Sequence, residues 1–239
     1  MARRRSRAPA LGWPEYLADR AGRVTSPLLR AYFTAGCPTA GTPIAEAPLV
    51  ALDIETTGLD PRRHAIVSIG AVPFTLARIP LRQARYWLLK PYRELTATSV
   101  TLHHITHSEI ADAPDLMEVL PEVLGLLQGR LAVVHYRHIE RGFFDAAAQY
   151  RLGEGLRFPV IDTMSLEARL HRQSPLARLR RWMGRPPVSI RLQASRERYG
   201  LPPYQGHHAL MDALATAELL QAQVANRFTP ETPVGQLWS

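Results

Sequence analysis

Two carboxylates, Asp53 and Glu55, stand in a segment that otherwise reads as a buried strand. From Leu49 to Glu55 the chain alternates with period two, so Val50, Leu52 and Ile54 share one face and Ala51, Asp53 and Glu55 the other. Neighbouring acids on one face repel, and burying them without partners costs several kcal/mol. A divalent cation coordinated by both removes that conflict, and hard carboxylate oxygens suit Mg²⁺ or Mn²⁺. The plainer explanation is an edge strand with its acid face in water. The continuation Thr56-Thr57-Gly58-Leu59-Asp60-Pro61 favours chemistry, because it ends the strand in a turn that opens room for a ligand.

Two later segments place histidines and acids near predicted helix starts. In His135-Tyr136-Arg137-His138-Ile139-Glu140-Arg141-Gly142-Phe143-Phe144-Asp145, Glu140 and Asp145 lie about 140° apart around a helix, so only one can face a common site. In Gly206-His207-His208-Ala209-Leu210-Met211-Asp212, the acid interrupts the Ala/Leu-rich opening of a long helix. An N-terminal Asp is also stabilised by the helix dipole without any ligand. Helical geometry alone prefers His208 as the partner of Asp212, four residues before it. His207 would diverge by about 140° in regular helix and can act with Asp212 only from the preceding loop.

The string Asp53-Ile54-Glu55-Thr56-Thr57-Gly58 resembles the first motif of the DEDDh (DnaQ-like) 3′–5′ exonucleases, the family of the bacterial proofreading subunit and ribonuclease T. The other parts of that pattern fall at His135 to Glu140, Asp162-Thr163 and His207 to Asp212, so the resemblance spans residues 49 to 222. It implies a ribonuclease-H-like fold and hydrolysis of 3′-terminal phosphodiesters of DNA or RNA, releasing nucleoside monophosphates. It implies that Asp53, Glu55, Glu140 and Asp212 hold two Mg²⁺ or Mn²⁺ ions, with His207 as general base and Asp162 as structural support. Family spacing chooses His207 over His208, and Glu140 is preferred to Asp145 because Asp145 lies more than a turn further from the strand end. Thr56, Thr57, Gly58, His104 and Ile105 are the implied substrate contacts.

The chain departs from the pattern in three places. Tyr136 replaces the usual Asn, and His104 replaces the Gly of a His-Gly-Ile-Thr loop. Glu140 replaces Asp, which extends the carboxylate by ~1.5 Å, one bond length. Glu140 and Tyr136 motivate an alternative, a non-catalytic nucleic-acid-binding or scaffold protein on the same fold.

These residues need a scaffold. Strands are expected at 49–55, 65–73 and 84–90 as an antiparallel meander, then at 131–134 and 158–162. Helices are expected at 107–111, 114–128, after the fourth strand to about Tyr150, at 165–183, near 189–199 and at 208–226. Three antiparallel strands followed by strand–helix units give an α/β fold with a mixed central sheet flanked by helices. Residues 1–47 read as an extension with short helices at 13–21 and 27–33 and a linker. Residues 48–227 form the exonuclease-like domain and 228–239 a tail.

Composition narrows the field further. At 239 residues, 46% of them hydrophobic, the chain can bury a full core. No apolar run approaches the ~20 residues of a membrane helix. One cysteine, Cys37, excludes a disulfide framework and a Cys-based zinc site and fits a reducing compartment, so the cytoplasm is expected. The formal charge is +8, and residues 169–198 hold nine arginines against one acid, Glu197. Such a stretch favours a polyanionic partner through phosphate contacts, or else merely solvates a face. The family resemblance implies that the partner is single-stranded or 3′-terminal DNA or RNA. The sequence leaves open a polymerase partner or a homodimer.

Overall fold

The computed structural model describes residues 12–92 and 110–239, so His104 and Ile105, and most of the expected 107–111 helix, lie outside the described residues. Five strands form one sheet: β1 (Leu49–Thr56), β2 (Ile66–Phe74), β3 (Arg85–Leu88), β4 (Leu131–Val134) and β5 (Val160–Asp162). Their order is β3-β2-β1-β4-β5. β1 pairs antiparallel with β2, and β2 with β3; β4 pairs parallel with both β1 and β5. This is the expected mixed sheet of a meander plus parallel strands. Helix α3 (Leu116–Leu127) leads into β4, and α4 (Glu140–Leu152) connects β4 to β5. The C-terminal ends of β1, β4 and β5 therefore meet at one edge, where α/β sheets build their ligand crevices.

β1 is central and covered on both faces. Val50, Leu52 and Ile54 join Leu120, Val123, Phe143 and Phe144 in one apolar cluster. Leu49 and Ala51 join Ala213, Ala217 and Leu220 of the last long helix, α8 (Ala209–Arg227), in another. Asp53 and Glu55 thus continue a face that α8 covers, which removes the edge-strand explanation of the paired acids.

Two helices precede the sheet. α1 spans Trp13–Arg23 and α2 spans Pro27–Thr34; Pro27 opens α2, and the Ser26 side chain accepts the Leu29 N–H. Leu17, Val24, Leu29, Tyr32 and Phe33 belong to the same cluster as Val50 and Leu52. The Glu154 carboxylate accepts the N–H groups of Thr25 and Ser26 and ties the turn between the two helices to the body. At the other end of the chain, Val234 and Leu237 enter the α8-side cluster.

Two helical expectations need correction. The single helix expected over 165–183 is two, α5 (Thr163–His171) and α6 (Pro175–Trp182). Pro175 has no N–H to continue a ladder, and Ser174 caps the new start by accepting the Ala177 N–H. The helix expected near 189–199 is shorter, α7 (Leu192–Arg198). Among the described residues no helix is long and apolar enough to cross a membrane.

Candidate active site

The acids are brought together by one close approach. Across β1 and β2, Asp53 stands opposite Gly70. A Cβ on Gly70 would overlap the Ala209 carbonyl and the Leu210 nitrogen, so α8 rests directly on the strand backbone here. One turn later α8 presents Asp212. One carboxylate oxygen from each of Asp53, Glu55 and Asp212 lies within 4.8 Å of the other two.

Glu140 is the first residue of α4, at the C-terminal end of β4. It is 2% exposed, and its Oε2 has no hydrogen-bond partner. It stands outside the compact three-residue group, yet its charge bears on Asp53. Burial pushes the Asp53 carboxyl well above the ordinary range, and Asp212, Glu140 and Glu55 add repulsion. Burial likewise raises Glu140. Asp212 is raised by burial and by Glu55, opposed by the hydrogen bonds from Tyr204 and the His207 N–H. A divalent cation would relieve the mutual repulsion of these clustered acids and give the orphaned Glu140 oxygen a partner, so these residues fit divalent metal.

Asp145, the rival of Glu140, faces elsewhere. Its neighbours are Arg157, Arg20 and the Leu156 N–H, on the side of the N-terminal helices. Asp162 is also occupied by the fold. Oδ1 accepts the N–H groups of Tyr136, Met164 and Ser165, while Oδ2 accepts from the Arg137 guanidinium at 2.9 Å and the Ser165 hydroxyl at 2.7 Å. It caps α5 and holds the turn that leads to Glu140.

The two histidines separate clearly. His207 lies on the loop before α8 with φ +66°, and its N–H donates to Asp212 Oδ2 at 2.8 Å. His208 is the N-cap and stacks on Tyr86, with ring centroids 4.6 Å apart. The Thr56-Thr57-Gly58 turn is largely self-contained. Thr56 Oγ1 donates to the Gly58 carbonyl, and Thr57 Oγ1 accepts the Ala65 N–H and meets His64 Nδ1 at 3.2 Å.

Tyr204 was not foreseen from sequence. Its hydroxyl donates to Asp212 Oδ1 at 2.6 Å, and the Arg196 guanidinium covers its ring at 4.9 Å. Arg196 is itself paired with Glu218 at 2.7 Å. The only signal was an aromatic in the Pro202-Pro203-Tyr204-Gln205-Gly206 loop, eight residues before Asp212.

Residues 50–220 match the RNase_T exonuclease family model. The chain belongs to this exonuclease family. Over 174 residues, 73% of its length, it is 33% identical to the PolC-type DNA polymerase III of Thermotoga maritima. A Staphylococcus aureus polymerase of the same type is 29% identical over 187 residues, 76% of the chain. The chain spans 12% of the length of each of these relatives. Among solved structures it resembles exonuclease X in complex with 5′-overhanging duplex DNA, with 25% identity and a TM-score of 0.55, over 77% of this chain and 96% of that one. The nuclease domain of 3′hExo, a DEDDh family member bound to rAMP, shares the fold at 15% identity and a TM-score of 0.61, over 75% and 92% of the two chains. The ribonuclease-H-like DEDDh fold expected from sequence is thereby established.

Proposed function

We propose that the chain is a divalent-metal-dependent 3′–5′ exonuclease that removes nucleoside monophosphates from the 3′ ends of DNA or RNA. The observation that carries this reading is the convergence of Asp53, Glu55 and Asp212 within 4.8 Å, beside the buried and unpartnered oxygen of Glu140. Asp53, Glu55, Glu140 and Asp212 would hold Mg²⁺ or Mn²⁺. When bound, two such ions polarise a phosphodiester and stabilise both the attacking and the leaving oxygen.

The chain's own groups supply the rest. The solvent-exposed His207 can accept the proton of an attacking water. Its N–H bond to Asp212 ties the loop carrying the base to a metal-holding carboxylate. Tyr204 fixes the other Asp212 oxygen, the kind of support that sets a ligand's direction. Thr56, Thr57 and Gly58 bound the strand end where the terminal nucleotide would lie, and they serve by shaping the turn, since both hydroxyls are already engaged.

Time courses on 5′-labelled and 3′-labelled DNA and RNA, with Mg²⁺, Mn²⁺ or chelator, test the proposal. We expect 3′-labelled mononucleotide as the first product, only with metal, and none from Asp53→Asn. Internal cuts or 5′ mononucleotides would overturn the polarity. Binding without metal-dependent turnover would favour the scaffold alternative.

A further inference from the structure

Eight of the nine arginines in the basic stretch 169–198 have described side chains, and they fall into two sets. Arg169 donates to the Gln236 carbonyl, Arg172 to Val188, Arg196 to Ala215 and Pro202, and Arg198 to Ser189 and Glu167. These four belong to the fold. Arg178, Arg181, Arg185 and Arg191 are exposed and, among the described residues, their side chains make no hydrogen bond or ion pair. Three of them sit on or just after α6, in a run from residue 168 to 196 that contains no acid.

α6 also carries an apolar surface that the fold leaves uncovered. Trp182 is 84% exposed, and Leu176, Leu179 and Met183 are exposed beside it. Arg178 and Trp182 are four residues apart and Arg178 and Arg181 three apart, so all three share one edge of the helix, within about 100°. Behind them, Arg181 and Arg185 line an open cleft of about 600 Å³ with Leu170, Ala177, Val188 and Arg227. The segment after α6 is tied back to the active-site rim. The Val188 carbonyl accepts from Arg172, and the Ile190 carbonyl lies 3.1 Å from Nε2 of His135, the residue that follows β4 and opens the turn to Glu140.

We infer that α6 is an arm for single-stranded nucleic acid upstream of the cleaved end. Arg178, Arg181 and Arg185 take phosphates, and the Trp182 indole stacks on a base. This rests on the exonuclease reading for the identity of the strand. The charge complementarity is direct, because a polyanion satisfies exposed guanidinium groups in a segment without acids. An exposed indole beside them supplies what every base offers a face to, independent of sequence. A protein partner with an acidic, apolar groove, or a second copy of the chain, is the competing occupant of the Leu176–Leu179–Met183 face.

The test measures binding of an oligothymidylate and a thymidine dinucleotide, using full-length Asp53→Asn to prevent turnover, and hydrolysis of both by otherwise wild-type protein. Trp182→Ala should weaken binding of the long strand by about 5- to 150-fold, the span of one base stack. Trp182→Phe should recover much of that loss. Arg178→Gln and Arg181→Gln should each flatten the salt dependence by about 0.7 of a unit of slope, the value for one contact to a single strand. Dinucleotide binding and kcat should not change, while KM for the long strand rises. Unchanged long-strand affinity in Trp182→Ala would overturn the proposal. So would an equal loss on the dinucleotide, or a change in oligomeric state by light scattering with strand affinity intact. Wild-type protein that hydrolyses nothing, yet binds the long strand through Trp182, would sink the exonuclease reading and leave this one standing.

Discussion

Gly70 and Ala209 touch backbone to backbone, and that contact sets how close α8 comes to β1. Gly70 faces Asp53 across the sheet, and the space a side chain would need is taken by the Ala209 carbonyl. The neighbour is helix backbone, so it cannot swing aside as a flexible side chain would. Gly70→Ala should displace the start of α8 and move Asp212 away from Asp53. We expect a loss of ~1–3 kcal/mol in stability, the usual cost of overpacking. Mn²⁺ affinity should fall more than that in proportion. Chemical denaturation and calorimetric Mn²⁺ titration on the same samples check both, and unaltered metal binding would refute the argument.

Asp53→Asn should abolish hydrolysis while making the metal-free protein more stable near neutral pH. Burial and neighbouring acids raise the folded pKa of Asp53, and those of Glu140 and Asp212 are also raised. A carboxyl whose folded pKa lies above its unfolded value gives stability that is fully present below the unfolded pKa. That stability is lost as pH rises through the folded pKa. The metal-free wild type should therefore lose stability as pH climbs above the ordinary carboxylate range, and Asp53→Asn should flatten that fall. Saturating Mg²⁺ should reverse it by binding the ionised acids. Thermal melts across pH with and without metal measure this. Wild-type stability that rises with pH in the absence of metal would contradict it.

His207→Ala should slow hydrolysis by ~10²–10⁴, the range expected for loss of a positioned general base. His208→Ala should cost far less, since its ring is spent on Tyr86. Metal affinity must be measured for both variants, because the His207 backbone holds Asp212. A larger loss from His208→Ala would exchange their roles.

Tyr136 has φ +97°, where a bulky side chain is strained. Its N–H is held by Asp162, which fixes the turn regardless. Tyr136→Gly should relieve the strain and leave stability unchanged or higher by up to ~1 kcal/mol, despite the flexibility glycine adds to the unfolded chain. Denaturant midpoints decide it; a loss above that size would show that the Tyr136 ring stabilises the turn.

Arginines of the basic stretch should behave as two classes. Arg196→Ala removes the partner of the partly exposed Glu218 and two carbonyl contacts, so it should destabilise by ~1–3 kcal/mol. It should also loosen Tyr204, and through it Asp212. Arg181→Ala, on the exposed arm, should change stability by less than ~0.5 kcal/mol. Equal effects in a melting assay would show that the division is wrong.

Much of this protein is local in origin. The alternation from Leu49 to Glu55 identifies a strand carrying two acids, because side-chain direction on a strand follows from residue parity alone. Ser26-Pro27 marks the start of α2, since capping and a missing N–H act within one turn. Ser174-Pro175 carries the same signal for α6, and it marks the break between α5 and α6. Tertiary structure decided the rest. Whether Asp53 and Glu55 face water or a helix depends on α8, more than 150 residues later in the chain. The choice between Glu140 and Asp145 depends on which way α4 leaves β4 and what covers its far side. The arginines between 169 and 198 look alike in sequence. Four are bound by carbonyls and acids that only folding brings near, and Arg178, Arg181, Arg185 and Arg191 are left for solvent or a ligand. A carboxylate's chemistry belongs to its residue type, but its pKa and its neighbours come from long-range packing, which no local pattern encodes.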